Sequence, residues 1–368
     1  MIPIFDPLLG EQERAYLLDC IDSGWISSQG RYITRFEEEF AAYCQVPHAV
    51  AAGNCTVALH LALAALGIGP GDEVLCPDLT FIAPANMIRV AGATPVLVDV
   101  DPVSWGIDPQ AMAGAITPRT KAVIVVHPFG HAADMDPIME LARRHGLKVI
   151  EDVAEAPGAL YKGRILGGIG DAGCFSFFAN KIMTTGEGGM VTCRDPVLDK
   201  QLRIYRDHGM SREQKYVHVV VGFNYRMTSM QAAVGCAQLE RMPDIQSRRD
   251  RQAALYAECF AGSDRVQWRP AASWCRPVHW LSTVSLRHRD LRAPLMDHLR
   301  SVGIEPRPMI FPVHEAEPFH GLADPALFPV STDISHRSVH LPSSTMLADD
   351  QIRRIANEVL EWLARNDR

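Results

Sequence analysis

The stretch CFSFFANKIMTTGEGGM, residues 174–190, decides how the rest of the chain is read. CFSFF (174–178) has the apolar, aromatic character of a buried strand, and GMVTC (189–193) reads as the next one. Between them lie one lysine, Lys181, and glycines at 186, 188 and 189 that let backbone approach a ligand closely. Working back towards the N-terminus, AVAA (49–52), EVLC (73–76), VLVDV (96–100), AVIVV (122–126) and KVIED (148–152) read as further strands. VALHLALAAL (57–66), APANMIRVAG (83–92), DPQAMAGAI (108–116) and DPIMELARRHG (136–146) read as the helices between them, several opening at Asp-Pro and closing at Gly. Apolar strands alternating with helices predict an α/β fold, a mostly parallel central sheet flanked by helices.

Towards the C-terminus the texture changes near residue 240. A polar helix pattern, DIQSRRDRQAALYAECF (244–260), leads into shorter elements such as VHWLSTVSL (278–286) and APLMDHLRSVG (293–303). Charge shifts at the same place. Residues 241–368 hold 17 basic and 16 acidic side chains, against 19 and 27 in residues 1–240. This predicts a large domain over 1–240 and a smaller C-terminal α/β domain over 241–368. The 368 residues, 47% hydrophobic, suffice for two cores.

A net charge of -7 argues against nucleic acid held by bulk electrostatics, but leaves room for small anions bound at a local site. The nine cysteines are scattered and form no C-x-x-C, which points to a reducing compartment. MIPIFDPLLGEQER (1–14) lacks the look of a signal peptide, and Val57–Leu66 is too short to span a bilayer, so a cytoplasmic protein with no membrane partner is expected.

The six lysines narrow the chemistry. In a parallel sheet, ligands sit beyond the carboxyl ends of the strands. Lys121 and Lys148 lie at the opposite edge, Lys200 falls in a polar helix, and Lys162 and Lys215 fall in polar loops. Only Lys181 directly follows a strand. Asp152 ends KVIED at the same edge, where a carboxylate can hold a protonated ring nitrogen or cap a following helix. The Cys55 and Thr56 amides open a helix, and a helix N-terminus is a natural phosphate site. Ser176 is either a fourth group aimed at that anion or an ordinary strand serine. An amine for a Schiff base, an acid for a pyridine nitrogen and a phosphate cup are the parts of a pyridoxal 5'-phosphate (PLP) enzyme. His127 and His131 flank Pro128 and Gly130, which argues for a loop and against a metal pair; no metal is expected. GIGPGDE (67–73) is no dinucleotide fingerprint, since it does not join a strand to a helix.

The sequence resembles the DegT family of nucleotide-sugar aminotransferases, PLP enzymes of fold type I. The resemblance runs through SGWISSQGRYITRFEEEFAAY (23–43), NCTVALHLAL (54–63), PDLTFIAPAN (77–86), VHPFGHAADMD (126–136), IEDVAEAPGA (150–159), FSFFANKIMTTGEGGM (175–190), GFNYRMTSMQAA (222–233) and RPMIFPVH (307–314). It implies that Lys181 carries PLP as a Schiff base, that Asp152 pairs with the pyridine nitrogen, and that Phe81 stacks on the ring. It further implies that Ser176 and the amides of Cys55 and Thr56 hold the phosphate. Asn224 would reach the phosphate in a neighbouring subunit, making the active unit a homodimer. Glu155 stands where relatives often have Gln or His near the ring hydroxyl, and an ionised carboxylate cannot donate there. Cys55 replaces a Gly common in relatives. SGWISSQG (23–30) and IEPRPMIFPVH (304–314) look most like enzymes that aminate C4 of GDP-4-keto-6-deoxymannose with L-glutamate as donor. Enzymes acting on dTDP- or UDP-linked keto sugars share most of the blocks. Trp25 lines the sugar site or fills core, and Arg307 and His314 contact the sugar diphosphate or brace the small domain. A related dehydratase would carry His in place of Lys181, and a non-catalytic PLP-binding regulator would lack part of the cofactor set.

Overall fold

The structure, a computed structural model, describes residues 1–269 and 271–367. A seven-stranded sheet runs in the spatial order His48–Ala52, Gly189–Cys193, Ala172–Ser176, Lys148–Asp152, Thr120–Val126, Glu73–Pro77, Thr94–Val98. Neighbours from Ala172–Ser176 through to Thr94–Val98 pair in parallel. Gly189–Cys193 is antiparallel to both its neighbours. The short return through residues 177–188 explains the reversal, because a parallel neighbour needs a longer crossover, usually a helix.

The strands are buried on both faces. Leu75, Val123 and Val125 enter one core, while Val74, Cys76, Ile124 and Val126 enter the other. The first core is completed by helices Arg31–Tyr43 and Met135–His145, with Phe40 edge-on to Phe175 at 4.8 Å. The second is covered by helices Cys55–Ala65 and Ala83–Val90. Burying a side chain of this size contributes about 1.5–3 kcal/mol, so both layers are tied firmly to the sheet.

Helix Met242–Phe260 begins among the first core, through Met242 and Ile245, and ends in a third, through Leu255, Tyr256 and Phe260. That third core lies against an antiparallel sheet in the order Val266–Trp268, Ser282–Leu286, Ser338–Leu341, Arg307–Pro308. Helices Arg292–Ser301 and Asp349–Asn366 pack on it, and Ile2 joins it through a bridge to Ile304. Residues beyond 270 also reach back, since Cys275–Arg276 pairs with Leu160–Tyr161. No helix among the described residues is long and apolar enough to cross a membrane.

Candidate active site

The strand Lys148–Asp152 delivers Asp152 to the carboxyl edge of the sheet, where it is buried. Its Oδ1 accepts the Ala154 N–H at 3.0 Å and has the Cys55 thiol at 3.9 Å. Residues 153–158 form turns rather than a helix, so the carboxylate braces a turn and caps no helix. Burial raises its affinity for a proton, against the pull of the Ala154 amide and the Lys181 charge.

Lys181 rides on the return loop. The loop neck is closed by Phe177 N–H to Gly188 O at 2.8 Å and Thr185 N–H to Phe177 O at 2.9 Å. The lysine amide donates to Phe178 O at 2.9 Å. Its side chain is 13% exposed, with Nζ 3.8 Å from Glu155 Oε1. Glu155 Oε2 accepts the Phe129 N–H at 2.7 Å, and burial pushes its proton affinity up although Lys181 opposes this. The other lysines that form ion pairs are peripheral: Lys148 with Asp171 at 3.1 Å, Lys162 with Asp136 at 2.6 Å, and Lys200 with Glu213 at 2.7 Å.

Helix Cys55–Ala65 starts beside these groups. The Asn54 side chain caps it by accepting the Val57 N–H at 2.9 Å. Cys55 and Thr56 follow at the mouth of the cavity, and their amides have no protein acceptor among the described residues. The reversed strand lies hard against this turn. A Cβ on Gly189 would stand 2.4 Å from the Asn54 carbonyl carbon and 2.8 Å from Cys55 N, so only glycine fits. Ser176, at the end of its strand, accepts the Phe178 N–H at 3.4 Å.

Lys181, Asp152, Glu155, Ser176, Cys55, Thr56, Phe81 and Arg307 all line one cavity of about 480 Å³, a volume ordinary for a cofactor-sized ligand. Phe81 is 62% exposed at its rim. The remaining residues singled out in the sequence lie elsewhere. Asn224 is exposed, its Oδ1 accepting from Arg226 Nε at 2.9 Å, and Trp25 is exposed on the loop after helix Glu11–Ser23. Neither lines the cavity of its own chain. His314 is buried outside the cavity lining, with Nδ1 2.7 Å from Asp78 Oδ2 and its ring stacked on Phe328 at 4.8 Å. His127 and His131 are buried around a single turn, and no group of three or more His, Cys, Asp or Glu among the described residues is placed to hold a metal. His127 instead serves Glu151, fully buried, which also accepts amides of Gly167, Ile169 and Gly170 at 2.8–2.9 Å.

Trp280, Asn180, Phe129 and His340 line the cavity without having been expected there. Trp280 and His340 come from the C-terminal third, and nothing local in VHWL or SVHL marks them as neighbours of Lys181. Buried within the wall, Asn180 Oδ1 has no hydrogen-bond partner among the described residues.

A sequence profile of the DegT/DnrJ/EryC1/StrS aminotransferase family matches residues 7–360, and the chain belongs to that family. Among its relatives, the GDP-perosamine synthase of Caulobacter vibrioides is 46% identical over 96% of each chain. The dTDP-3-amino-3,4,6-trideoxy-alpha-D-glucose transaminase of Streptomyces venezuelae is 39% identical, over 93% of this chain and 91% of its own. The crystal structure of S. venezuelae DesV superimposes with a TM-score of 0.91 at 39% identity, covering 96% of this chain and 94% of that one. The protein is therefore a PLP-dependent aminotransferase. The cavity suits that cofactor on its own terms: an amine, two buried carboxylates, a capped helix start with free amides, and an orphaned amide oxygen in the wall.

Proposed function

We propose that the protein transfers the amino group of L-glutamate to C4 of a GDP-linked 4-keto-6-deoxy sugar, with GDP-4-keto-6-deoxymannose becoming GDP-perosamine. The observation that carries the chemistry is the convergence of Lys181, Asp152 and the first turn of helix Cys55–Ala65 on one cavity. The nucleotide and sugar rest on the 46% identity to a GDP-perosamine synthase over nearly the whole of both chains.

When bound, PLP supplies an electron sink next to the donor's Cα. Asp152 would hold the proton of the pyridine nitrogen; a carboxylate already disfavoured by burial gains most from a cationic partner. The Cys55 and Thr56 amides and the Ser176 hydroxyl would meet the phosphate, aided by the helix dipole. Phe81 would cover one face of the ring and Glu155 would stand by its hydroxyl. The Lys181 amine would take the proton from Cα of glutamate and move it to the far side of the amino nitrogen. In the second half of the cycle it carries a proton in the opposite sense, to C4 of the sugar. Glutamate leaves as 2-oxoglutarate, so nitrogen and electrons balance without a further reactant. Arg307, facing the cavity, suits the diphosphate of the nucleotide sugar.

The active unit in this reading is a homodimer, with Asn224 reaching the neighbouring subunit's phosphate. Its exposure and its absence from the cavity of its own chain support that role. Nine free thiols, seven of them buried, support a cytoplasmic setting. The deciding experiment offers the enzyme and L-glutamate GDP-, dTDP- and UDP-linked 4-keto-6-deoxy sugars in parallel. An aminated GDP-sugar is expected. Product only from a dTDP- or UDP-sugar would reassign the substrate, and no product from any would refute the reaction.

A further inference from the structure

Lys181 Nζ lies 3.7 Å from the centroid of the Trp280 ring. Among the described residues, the ammonium has no hydrogen-bond acceptor in range, and its nearest carboxylate oxygen, on Glu155, is 3.8 Å away. Its environment is therefore the indole face on one side and Glu155 on another. The same indole also holds the loop that carries the lysine, since Nε1 donates to Asn180 O at 2.6 Å. Phe129 lies nearly parallel to it, with ring centres 6.0 Å apart and 5° between planes, which fixes the tilt of the indole.

The backbone behind Trp280 is held with equal care. Arg249, on helix Met242–Phe260, is fully buried and makes no ion pair among the described residues. Its Nη1 donates to Trp280 O at 2.7 Å and to His279 O and Ser343 O at 3.2 Å. His279 sits at φ +49, a conformation uncommon for a residue with a side chain. Gly130 admits this bend, because a Cβ there would stand 2.8 Å from His279 N and 3.0 Å from Trp280 N. A buried guanidinium without a counter-ion is costly. Filling core would not call for one at this position.

We propose that Trp280 is a positioning residue for Lys181: its indole face is where the lysine ammonium rests when that nitrogen is neither bonded to cofactor nor carrying a proton to or from substrate, and Arg249 fixes the backbone that presents the face. The proposal rests on Lys181 being the cofactor-bearing amine. In a transamination the lysine is displaced in the first half of the cycle and re-forms its bond only at the end of the second, so in between it must be kept close without returning too early. A ring quadrupole does this for a cation and makes no directed bond that would have to break.

Six lysines make the test direct. The full chain is labelled with [ε-13C]lysine, and the Lys181 signal is assigned by its loss in Lys181→Arg. In cofactor-free enzyme and in enzyme loaded with pyridoxamine phosphate, the Lys181 ε-CH2 protons should resonate upfield of the other five through the indole ring current. Loading with PLP should move them away. Trp280→Leu should return them to the range of the others, and Trp280→Phe, which keeps a face and loses the N–H, should retain part of the shift. Arg249→Met should weaken it. Trp280→Leu should also raise the glutamate concentration needed to displace the lysine about tenfold. An unshifted Lys181 signal in cofactor-free wild type, or one that survives Trp280→Leu, overturns the proposal. A shifted signal that PLP fails to move would instead sink the assignment of Lys181 as the cofactor-bearing amine and leave the indole contact standing.

Discussion

Replacing Asp152 by Asn should move stability and activity in opposite directions. The amide is isosteric, so Oδ1 still accepts the Ala154 N–H, and only the charge is lost. In cofactor-free protein that charge is a burden, because burial raises the proton affinity of Asp152 above its ordinary 3.8. For an acid whose folded-state proton affinity is raised, the penalty is full at neutral pH. It fades as the pH falls towards the unfolded value. Asp152→Asn should therefore melt higher at pH 7. At about 2 cal/mol/K per residue, each kcal/mol relieved is worth roughly 1 °C in a chain of this length, and the gain should shrink towards pH 3.8. In loaded enzyme the sign reverses. Two opposite charges about 4 Å apart attract by about 4 kcal/mol at an effective dielectric of about 20. Hydrogen bonds to charged groups retain about 1.5–3 kcal/mol after desolvation. At about 1.4 kcal/mol per tenfold, single-turnover reaction with L-glutamate should slow about 10- to 150-fold. Scanning calorimetry of cofactor-free protein and stopped-flow absorbance of loaded protein supply the two readings. A variant that turns over within threefold of wild type would refute the role given to Asp152, as would one that melts lower without cofactor.

Lys181→Ala should give no aminated sugar by mass spectrometry while folding normally, and appreciable product would mean that another base moves the proton. Gly189→Ala should push the reversed strand off the first turn of helix Cys55–Ala65, lowering PLP affinity at least about tenfold and stability by about 1–3 kcal/mol. Fluorescence titration and thermal melting would show both, and unchanged affinity would mean that the helix start is not the phosphate site. Glu151→Gln should cost about 3 kcal/mol by urea unfolding, since four donors converge on a carboxylate that cannot be matched by an amide. Burial raises the proton affinity of Glu151, but His127 and the Gly170 and Gly167 amides pull it below the ordinary 4.5. Its stabilisation is thus present above pH 4.5 and lost as the pH falls through the lower folded-state value, and the variant should show less of this acid loss.

The strands were legible because burial on both faces leaves apolar runs, and the meeting of Asp152 and Lys181 at one cavity was legible because one ends such a run and the other follows one. Direction was not: GMVTC reads the same whether parallel or antiparallel, and only the brevity of residues 177–188 hints at the reversal. Boundaries shifted where a polar side chain found tertiary work. VLVDV was expected at 96–100, yet the strand spans Thr94–Val98, because Asp99 is drawn off to accept the Val330 and Ser331 amides. His314 shows the same limit. Its sequence allowed contact or bracing, and nothing near it in the chain announces the partner that the fold brings to it at position 78. Trp280 could not be found at all, since its proximity to Lys181 is set by how the C-terminal sheet packs over the edge of the large one.

The charge pattern of the cavity explains why these pieces belong together. Two buried carboxylates, Asp152 and Glu155, share the single ammonium of Lys181, and burial works against the ionisation of both. Alone, such a site is a net cost to the fold, as expected for a surface shaped for a ligand rather than for stability. In the proposed reading a pyridinium beside Asp152 would supply the missing positive charge, and a phosphate at the Asn54-capped helix start would meet amides that lack acceptors among the described residues. Each charged part of the cofactor would thus answer a deficiency in the protein, which would link binding to folding. The -7 of the whole chain is no obstacle to an anionic ligand in this arrangement. A phosphate bound there would not face that total; it would face the Cys55 and Thr56 amides and the helix dipole.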